Sequence, residues 1–128
     1  MNKKIKFKNN SLENFSLNLW DDEIKVGLTG SFLCAKHFGY QMKRNKKNGV
    51  IINIGSELSV VAPDQRIYKK NFFKPVTYSV IKHGIIGLTK YLSTYWAEHG
   101  IRCNALSPGG IFNNQDKKFL RNFKKLVP

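Results

Sequence analysis

Apolar residues in the first half of the chain follow a helical repeat. Between Ser16 and about Arg44 they recur three or four positions apart, at Leu17, Trp20, Ile24, Leu28, Phe32, Ala35 and Phe38. Ser16 is suited to cap this helix, and Asn48 and Gly49 to stop it. Gly27 and Gly30 lie inside the repeat, where a glycine costs about 1 kcal/mol relative to alanine, so we expect close packing or a kink there.

A strand and a long loop are predicted after this helix. The run Val50–Ile54 is β-branched with almost no polar alternation, which is typical of a strand buried on both faces of a parallel sheet. From Glu57 to about Pro75 the chain is polar and follows neither periodicity. Connections of this length are uncommon in compact domains, and they are usually functional or mobile.

A second helix and a second strand continue the alternation. The helix is expected from Pro75 or Val76 to about His99, with Gly100 closing it. Its apolar stripe is formed by Ile81, Ile85, Leu88, Leu92, Tyr95 and Trp96. Ile101–Leu106 follows as a strand, and a short amphipathic helix is expected near the C-terminus, with apolar positions Phe119, Leu120 and Phe123. The order helix, strand, helix, strand predicts an α/β fold with a parallel sheet.

The charge of the chain is strongly positive but scattered. Its 128 residues, enough for one domain, carry 22 Lys+Arg against 8 Asp+Glu, a formal net charge of +14. The basic residues fall into four groups, Lys3–Lys8, Lys43–Lys47, Arg66–Lys74 and Lys117–Lys125. These are predicted ends and connections rather than one face of a helix, which favours a solvated surface. A basic module that binds nucleic acid or partner chains is the alternative.

Composition also limits the location and the chemistry of the protein. Because the sequence has no run of 18 apolar residues and its basic start lacks an apolar stretch, we expect neither a membrane span nor a signal peptide. Cys34 and Cys103 fit no metal or redox spacing, so we expect both to be buried, reduced thiols in a cytoplasmic protein. The three histidines are dispersed, and no metal site is expected.

Tyr78 and Lys82 are the strongest candidates for catalytic chemistry. They are four positions apart on the second predicted helix, so both side chains share one face. A nearby ammonium stabilises a phenolate and lowers the pKa of the phenol from its reference value near 10. Such a tyrosine can exchange a proton with an alcohol or a ketone. Ser56 follows the first strand, at the sheet edge where open α/β folds bind ligands.

Four segments in this order resemble the second half of a short-chain dehydrogenase/reductase. They are WDDEIKVGLTGSF, GVIINIGS, YSVIKHGIIGLTKYLS and GIRCNALSPGG, within about Leu12 to Ile111. The resemblance implies a Rossmann-like, doubly wound parallel sheet. It also implies hydride transfer between NAD or NADP and an alcohol or carbonyl substrate. A non-catalytic basic module remains the alternative function.

The resemblance assigns catalytic roles position by position. Tyr78 corresponds to the acid and base of the reaction, and Lys82 to the residue that tunes it. Both are also expected to contact the cofactor, Lys82 through the ribose of the nicotinamide. Ser56 corresponds to the serine that orients the substrate.

Further positions are expected to lie beside the cofactor. Pro108 and Gly109 correspond to the turn next to the nicotinamide, and Ile111 to the position whose backbone reaches the carboxamide. Gly27 departs from the family pattern, because an Asn usually stands there and supports a water-linked proton relay to the lysine. A glycine has no side chain to do this.

The stretch between Ser56 and Tyr78 is longer than is usual in the family. The additional residues, near Asp64 to Lys74, are expected to lie on the substrate side. The string APDQRIY…KPVTYSVIK is similar to a bacterial branch of surface-sugar and flagellin modification. A small-molecule alcohol or carbonyl substrate of the sugar type is therefore the preferred partner, and nucleic acid is not.

The resemblance covers only part of the family pattern. No glycine-rich strand–turn–helix precedes the four segments, so we expect a partial Rossmann-like fold without the N-terminal nucleotide-binding βαβ units and the last strand. The expected organisation is a basic tail over 1–11, a catalytic half over 12–112 and a basic segment over 113–128. Open apolar surface favours self-association through the two long helices, marginal stability and little affinity for NAD or NADP.

Overall fold

The structure is a computed structural model that describes residues 10–46 and 48–127. Its regular elements are α1 (Leu17–Ile24), α2 (Gly30–Arg44), β1 (Gly49–Ile54), α3 (Val76–Tyr95), β2 (Ile101–Leu106) and α4 (Lys117–Phe123). The basic tail predicted over 1–11 lies almost wholly outside the described residues. From α2 to β2, the order of elements confirms the predicted alternation of helices and strands.

The two strands form a parallel pair. Gly49 lies opposite Ile101 at one end of the ladder, and Ile54 lies opposite Leu106 at the other. α3 makes the crossover between them and packs against both strands. Parallel neighbours need a crossover of this kind, because a tight turn can join only antiparallel strands. The predicted α/β fold with a parallel sheet is confirmed.

A π-helical turn joins α1 and α2 into one long helical segment. Ser16 caps its start, where the hydroxyl accepts a hydrogen bond of 3.2 Å from Leu19 N. The π-helical turn is Lys25–Thr29, and Gly27 lies within it against α3. A Cβ added to Gly27 would come within 2.8 Å of Ile81 Cδ1. The close packing predicted at this glycine is therefore present.

The first long helix ends where its apolar repeat ends, whereas the second ends earlier than predicted. α2 stops at Arg44, and Asn48 and Gly49 do not end it, because Gly49 is already paired in β1. α3 stops at Tyr95, and the chain continues to His99 as a single 3₁₀ turn. Gly100 then closes the segment with a φ of 67°, in the left-handed region that glycine adopts readily.

The core lies where α2, α3 and the sheet meet. Its buried members are Ala35, Leu92, Trp96, Ile101 and Cys103. Burial raises the pKa of the Cys103 thiol, in agreement with the predicted buried cysteine. Cys34 is exposed, so the prediction for that residue was wrong. It precedes Ala35 by one position, which is a rotation of about 100° around the helix and away from the core.

One face of β1 is uncovered by the described residues. Val50, Ile52 and Ile54 are 46%, 62% and 55% exposed. Asn53 points to the opposite face, where its Nδ2 donates a hydrogen bond of 2.9 Å to Thr89 Oγ1 of α3. The prediction of a strand buried on both faces is wrong for this chain, because no helix covers those three side chains. The predicted open apolar surface is present.

The described residues carry no feature of a membrane span or a metal centre. None of their helices combines the length and the apolar character needed to cross a bilayer. In the same part of the chain, no group of three His, Cys, Asp or Glu side chains is placed to hold a metal ion.

Two helix glycines give a matched test of the core. A Cβ added to Gly39 of α2 would overlap the indole ring of Trp96, whereas a Cβ added to Gly87 of α3 meets nothing within 4 Å. Gly39→Ala is expected to lower the free energy of unfolding by about 1–3 kcal/mol through overpacking. Gly87→Ala is expected to raise it by about 0.5–1 kcal/mol, because alanine is the better helix former. Urea unfolding measures both, and equal effects of the two substitutions would contradict this packing.

Candidate active site

The start of α3 holds the predicted tyrosine and lysine. Tyr78 and Lys82 lie one helical turn apart, with Lys82 Nζ 5.8 Å from the centroid of the Tyr78 ring. Lys82 Nζ donates a hydrogen bond of 2.8 Å to the carbonyl of Ile54, the last residue of β1. Both side chains are therefore close to the carboxyl end of the sheet, where open α/β folds bind their ligands.

Ser56 is fixed in the turn that follows β1. Its side chain is buried, and its hydroxyl accepts a hydrogen bond of 3.2 Å from Leu58 N. Its own amide donates to Ser59 Oγ at 2.9 Å, which completes a reciprocal cap of a short helical turn. A hydroxyl group can donate one hydrogen bond while it accepts another, so the bond from Leu58 N does not use the Ser56 proton.

The turns that follow the two strands are bonded to each other. Gly55 N donates to Leu106 O at 2.7 Å, and Glu57 N donates to Pro108 O at 2.9 Å. These bonds place Pro108 beside the turn that contains Ser56. Two predicted positions that are far apart in the sequence thus become neighbours.

A cavity of about 420 Å³ opens beside Tyr78. Gly109 and Ile111 line it together with Tyr78, so three of the predicted site residues share this space. Ser56 and Pro108 do not line the cavity, although each directly precedes a residue that does. The structure therefore brings the predicted residues to one region without placing all of them on one wall.

Tyr78 has a second open side. Away from the cavity it borders a groove that it shares with Lys82 and with residues of α2 and β1. Lys82 faces this groove and is not among the residues that line the cavity. The phenol of Tyr78 is thus the boundary between two spaces.

Lys74, at the end of the additional residues before α3, also contacts Tyr78, and this contact was not predicted. Its Nζ lies 3.6 Å from the centroid of the Tyr78 ring, a cation–π contact closer than that of Lys82. The signal for it was the spacing, because positions 74, 78 and 82 are four apart. Because α3 begins at Val76, Lys74 precedes the helix, and helical spacing alone did not predict its contact with Tyr78.

Tyr68 is another cavity residue that no local pattern indicated. Burial raises the pKa of its phenol, and the negative charge of the Glu57 carboxylate raises it further. Tyr68 therefore remains protonated at neutral pH, where it can donate a hydrogen bond into the cavity.

The additional residues before α3 form a wall of the cavity. The Tyr68 ring packs on Phe119 of α4, with centroids 5.5 Å apart. Lys69 Nζ lies 3.3 Å from the Asp116 carboxylate, the cap of α4. The long loop and α4 thus hold each other in place around the cavity.

Comparisons with known proteins identify the family. A family model described as enoyl-(acyl carrier protein) reductase matches residues 2–127. The chain belongs to the short-chain dehydrogenase/reductase family.

Two curated members are similar to it. The D-threitol dehydrogenase of Mycolicibacterium smegmatis is 31% identical over 121 residues, which cover 91% of this chain and 43% of the relative. The NAD-dependent glycerol dehydrogenase of Listeria innocua is 34% identical over 114 residues, which cover 85% and 41%.

A solved member of the family supports the fold of this short-chain dehydrogenase/reductase. It is a short chain dehydrogenase from Leptospira borgpetersenii with bound NAD⁺, 40% identical, with a TM-score of 0.80. The match covers 86% of this chain and 42% of that chain. The predicted partial Rossmann-like fold is therefore confirmed, and the chain spans less than half the length of the relatives it matches.

The residues around Lys82 fit the nicotinamide end of a dinucleotide. Lys82 uses one N–H donor on the Ile54 carbonyl, which leaves two for ribose hydroxyls. Gly109 lines the cavity without a side chain, and a Cβ added there would lie 3.3 Å from the Glu57 carboxylate. Across residues 10–46 and 48–127, no helix opens with a glycine-rich turn that could hold the pyrophosphate. The fit is thus limited to one end of the cofactor.

Gly27 can be tested directly, because the family's usual Asn has no room there. A Cβ at this position would lie 2.8 Å from Ile81 Cδ1 and 2.9 Å from Cγ2. Gly27→Asn is expected to lower the free energy of unfolding by about 1–3 kcal/mol. Combined with Ile81→Ala, it is expected to cost about 0.5–3 kcal/mol less than the sum of the two single changes. A double-mutant cycle in urea measures this coupling, and strictly additive effects would show that Ile81 does not exclude the side chain.

Proposed function

We propose that this chain acts as an NAD(P)-dependent oxidoreductase that transfers a hydride between a nicotinamide cofactor and an alcohol or carbonyl substrate. The observation that carries the proposal is the arrangement of Tyr78 and Lys82 at the carboxyl end of β1. Lys82 Nζ lies near the Tyr78 ring and bonds to Ile54 O at that end of the strand. The chain belongs to the short-chain dehydrogenase/reductase family, and a solved member of that family to which it is similar contains NAD⁺.

Tyr78 is the proposed acid and base. Its phenol oxygen takes the proton of the substrate hydroxyl during oxidation and returns it to the carbonyl oxygen during reduction. Lys82 holds a positive charge 5.8 Å from the centroid of the ring, which stabilises the negative charge that develops on that oxygen. Ser56 is proposed to donate a hydrogen bond to the reacting oxygen and so to orient the substrate. The bound nicotinamide supplies or accepts the hydride.

The cofactor is proposed to meet two groups of residues. The free N–H donors of Lys82 would bind the ribose of NAD or NADP beside Tyr78. The turn of Pro108, Gly109 and Ile111 would lie along the nicotinamide, with the backbone of Ile111 next to its carboxamide. Support comes from the bond between Glu57 N and Pro108 O, which fixes this turn, and from the cavity that Gly109 and Ile111 share with Tyr78.

The proposed substrate is a small polar alcohol or ketone of the sugar type. Relatives named for threitol and glycerol support this class. A role in surface-sugar or flagellin modification is the finer form of the proposal, and its support is the sequence of the long loop. The basic residues are spread along the sequence over the end of α2, this loop and α4, which does not favour nucleic acid.

A test of the proposed acid and base uses Tyr78→Phe, which removes the exchangeable proton and little else. Turnover of glycerol or threitol is expected to fall by about 10²–10⁴-fold, the usual contribution of acid–base catalysis. The rate is followed through the absorbance of the reduced nicotinamide, with NAD and NADP supplied in separate reactions.

Tyr40→Phe is the matched control, because Tyr40 is an exposed residue of α2 away from the cavity. It is expected to leave turnover unchanged. The proposal is contradicted if both substitutions have equal effects, or if the unaltered chain turns over no alcohol at saturating cofactor.

We also propose that the chain self-associates through its two long helices in the cytoplasm. Phe32 and Tyr40 of α2 and Tyr91 and Tyr95 of α3 are exposed and line one groove between the helices. The free thiol of Cys103 is compatible with a reducing compartment.

Tyr95→Lys tests the proposed association. A charge in the aromatic groove is expected to shift the chain towards the monomer, because burying an unpaired ammonium is unfavourable. Sedimentation velocity at several concentrations measures the shift. Glu98→Lys, an exposed change just beyond α3, is the control for altered net charge. If the unaltered chain is already a monomer at all concentrations, the proposed association is contradicted.

A further inference from the structure

The proposed reaction gives the ammonium of Lys74 no role. Lys82 already holds a positive charge near Tyr78 and faces the groove on the other side of the ring. Lys74 lies over the face of the ring, 3.6 Å from its centroid, and lines the cavity. Two lysines therefore flank one phenol, and only Lys74 is in the space that is open to a substrate.

The position of Lys74 is built into the long loop. Gln65 Oε1 accepts a hydrogen bond of 2.9 Å from Lys74 N, and Gln65 Nε2 donates one of 3.4 Å to Lys74 O. These two bonds close the loop on itself just before Pro75 and α3. These bonds fix the backbone of Lys74 next to the start of α3, and the contact with the Tyr78 ring positions its ammonium.

The charge of Lys74 is not neutralised by the residues that the structure describes. Their ion pairs join Arg66 to Asp64 and Lys69 to Asp116, and no carboxylate of residues 10–46 or 48–127 pairs with Lys74. Asp64 also lines the cavity, but Arg66 binds it at 2.8 Å and lowers the pKa of the carboxyl to about 2. Glu57 is the remaining acid of the wall, and it lies beside Gly109.

We propose that Lys74 binds an anionic group of the substrate. The substrate of the proposed reaction is then a polyhydroxylated alcohol or ketone that carries a carboxylate or a phosphate. The identity of the reacting hydroxyl rests on the proposed function, whereas the anion site rests on Lys74 and the cavity alone.

The shape of the site is consistent with this assignment. Because the ammonium lies over the ring of Tyr78 and not at its hydroxyl, a bound anion would lie beside the reacting oxygen and not on it. A volume of about 420 Å³ is in the range of small-molecule sites and accommodates a sugar-sized chain. Most of the cavity wall is apolar, and the protonated phenol of Tyr68 is a hydrogen-bond donor in it for a hydroxyl group of that chain.

A binding experiment separates this proposal from catalysis. The full chain is titrated calorimetrically, without cofactor, with gluconate, sorbitol 6-phosphate and uncharged sorbitol. The carboxylate and phosphate probes distinguish the two possible sources of the anion. At least one of them is expected to bind about 10-fold or more tightly than sorbitol, because a charged hydrogen bond contributes about 1.5–3 kcal/mol.

Lys74→Met is expected to abolish the preference for the anionic probe and to leave sorbitol binding unchanged. Lys74→Arg is expected to retain it. Lys70→Met is the matched control, since Lys70 is an exposed lysine of the same loop that does not line the cavity. Urea unfolding of each variant confirms that the chain is folded.

Three results would overturn the anion site. They are equal affinity of the unaltered chain for all three probes, equal effects of Lys74→Met and Lys70→Met, and no binding of any probe. Failure of the proposed function has a different outcome, in which the anionic probe binds through Lys74 but neither cofactor supports turnover. Turnover that depends on Tyr78, without any preference for anions, would instead leave the function standing and refute the anion site.

Discussion

The parallel pairing of β1 with β2 is the constraint on which the rest of the structure depends. Parallel strands cannot be joined by a tight turn, so the chain must cross between them, and α3 is that crossover. The pairing also brings both carboxyl ends to one edge, where Glu57 N bonds to Pro108 O. α3 passes this edge at its start, and Lys82 bonds there to the carbonyl of Ile54. The candidate catalytic groups are therefore positioned by the backbone of the sheet.

Local sequence patterns were sufficient where the tertiary contacts reinforce them. The bounds of β2 agree with the strand predicted over Ile101–Leu106, and Ser16 caps α1 because its hydroxyl and Leu19 N are both part of the first turn. Asn48 and Gly49 were wrongly predicted to stop α2, because Gly49 is paired with Ile101, a contact between distant residues that a local stop signal does not contain. The exposure of Cys34 has a similar cause, since helical periodicity alone does not show which flank of the stripe meets the core.

The candidate site was predictable to the extent that its residues follow one helix and two strand ends. The spacing of Tyr78 and Lys82 and their common face follow from helix geometry alone. The position of Lys74 does not, because it depends on the bonds between Gln65 and the Lys74 backbone in an irregular loop. Close packing at Gly27 was predicted, but its partner Ile81 was not, since the contact requires the crossing of two helices that are distant in the sequence. Long-range contacts therefore account for the parts of the site that sequence patterns did not indicate.

The two sides of Tyr78 differ in how completely the described residues build them. The cavity is enclosed by the long loop, α4 and the turn after β2, which contact one another through Tyr68, Phe119 and Glu57. The groove on the side of Lys82 borders β1, whose outer side chains Val50 and Ile52 are exposed. The cavity is therefore built by contacts that the described residues already make, whereas the groove includes apolar strand surface that they leave exposed. This difference is why recognition of an anionic group can be measured independently of hydride transfer.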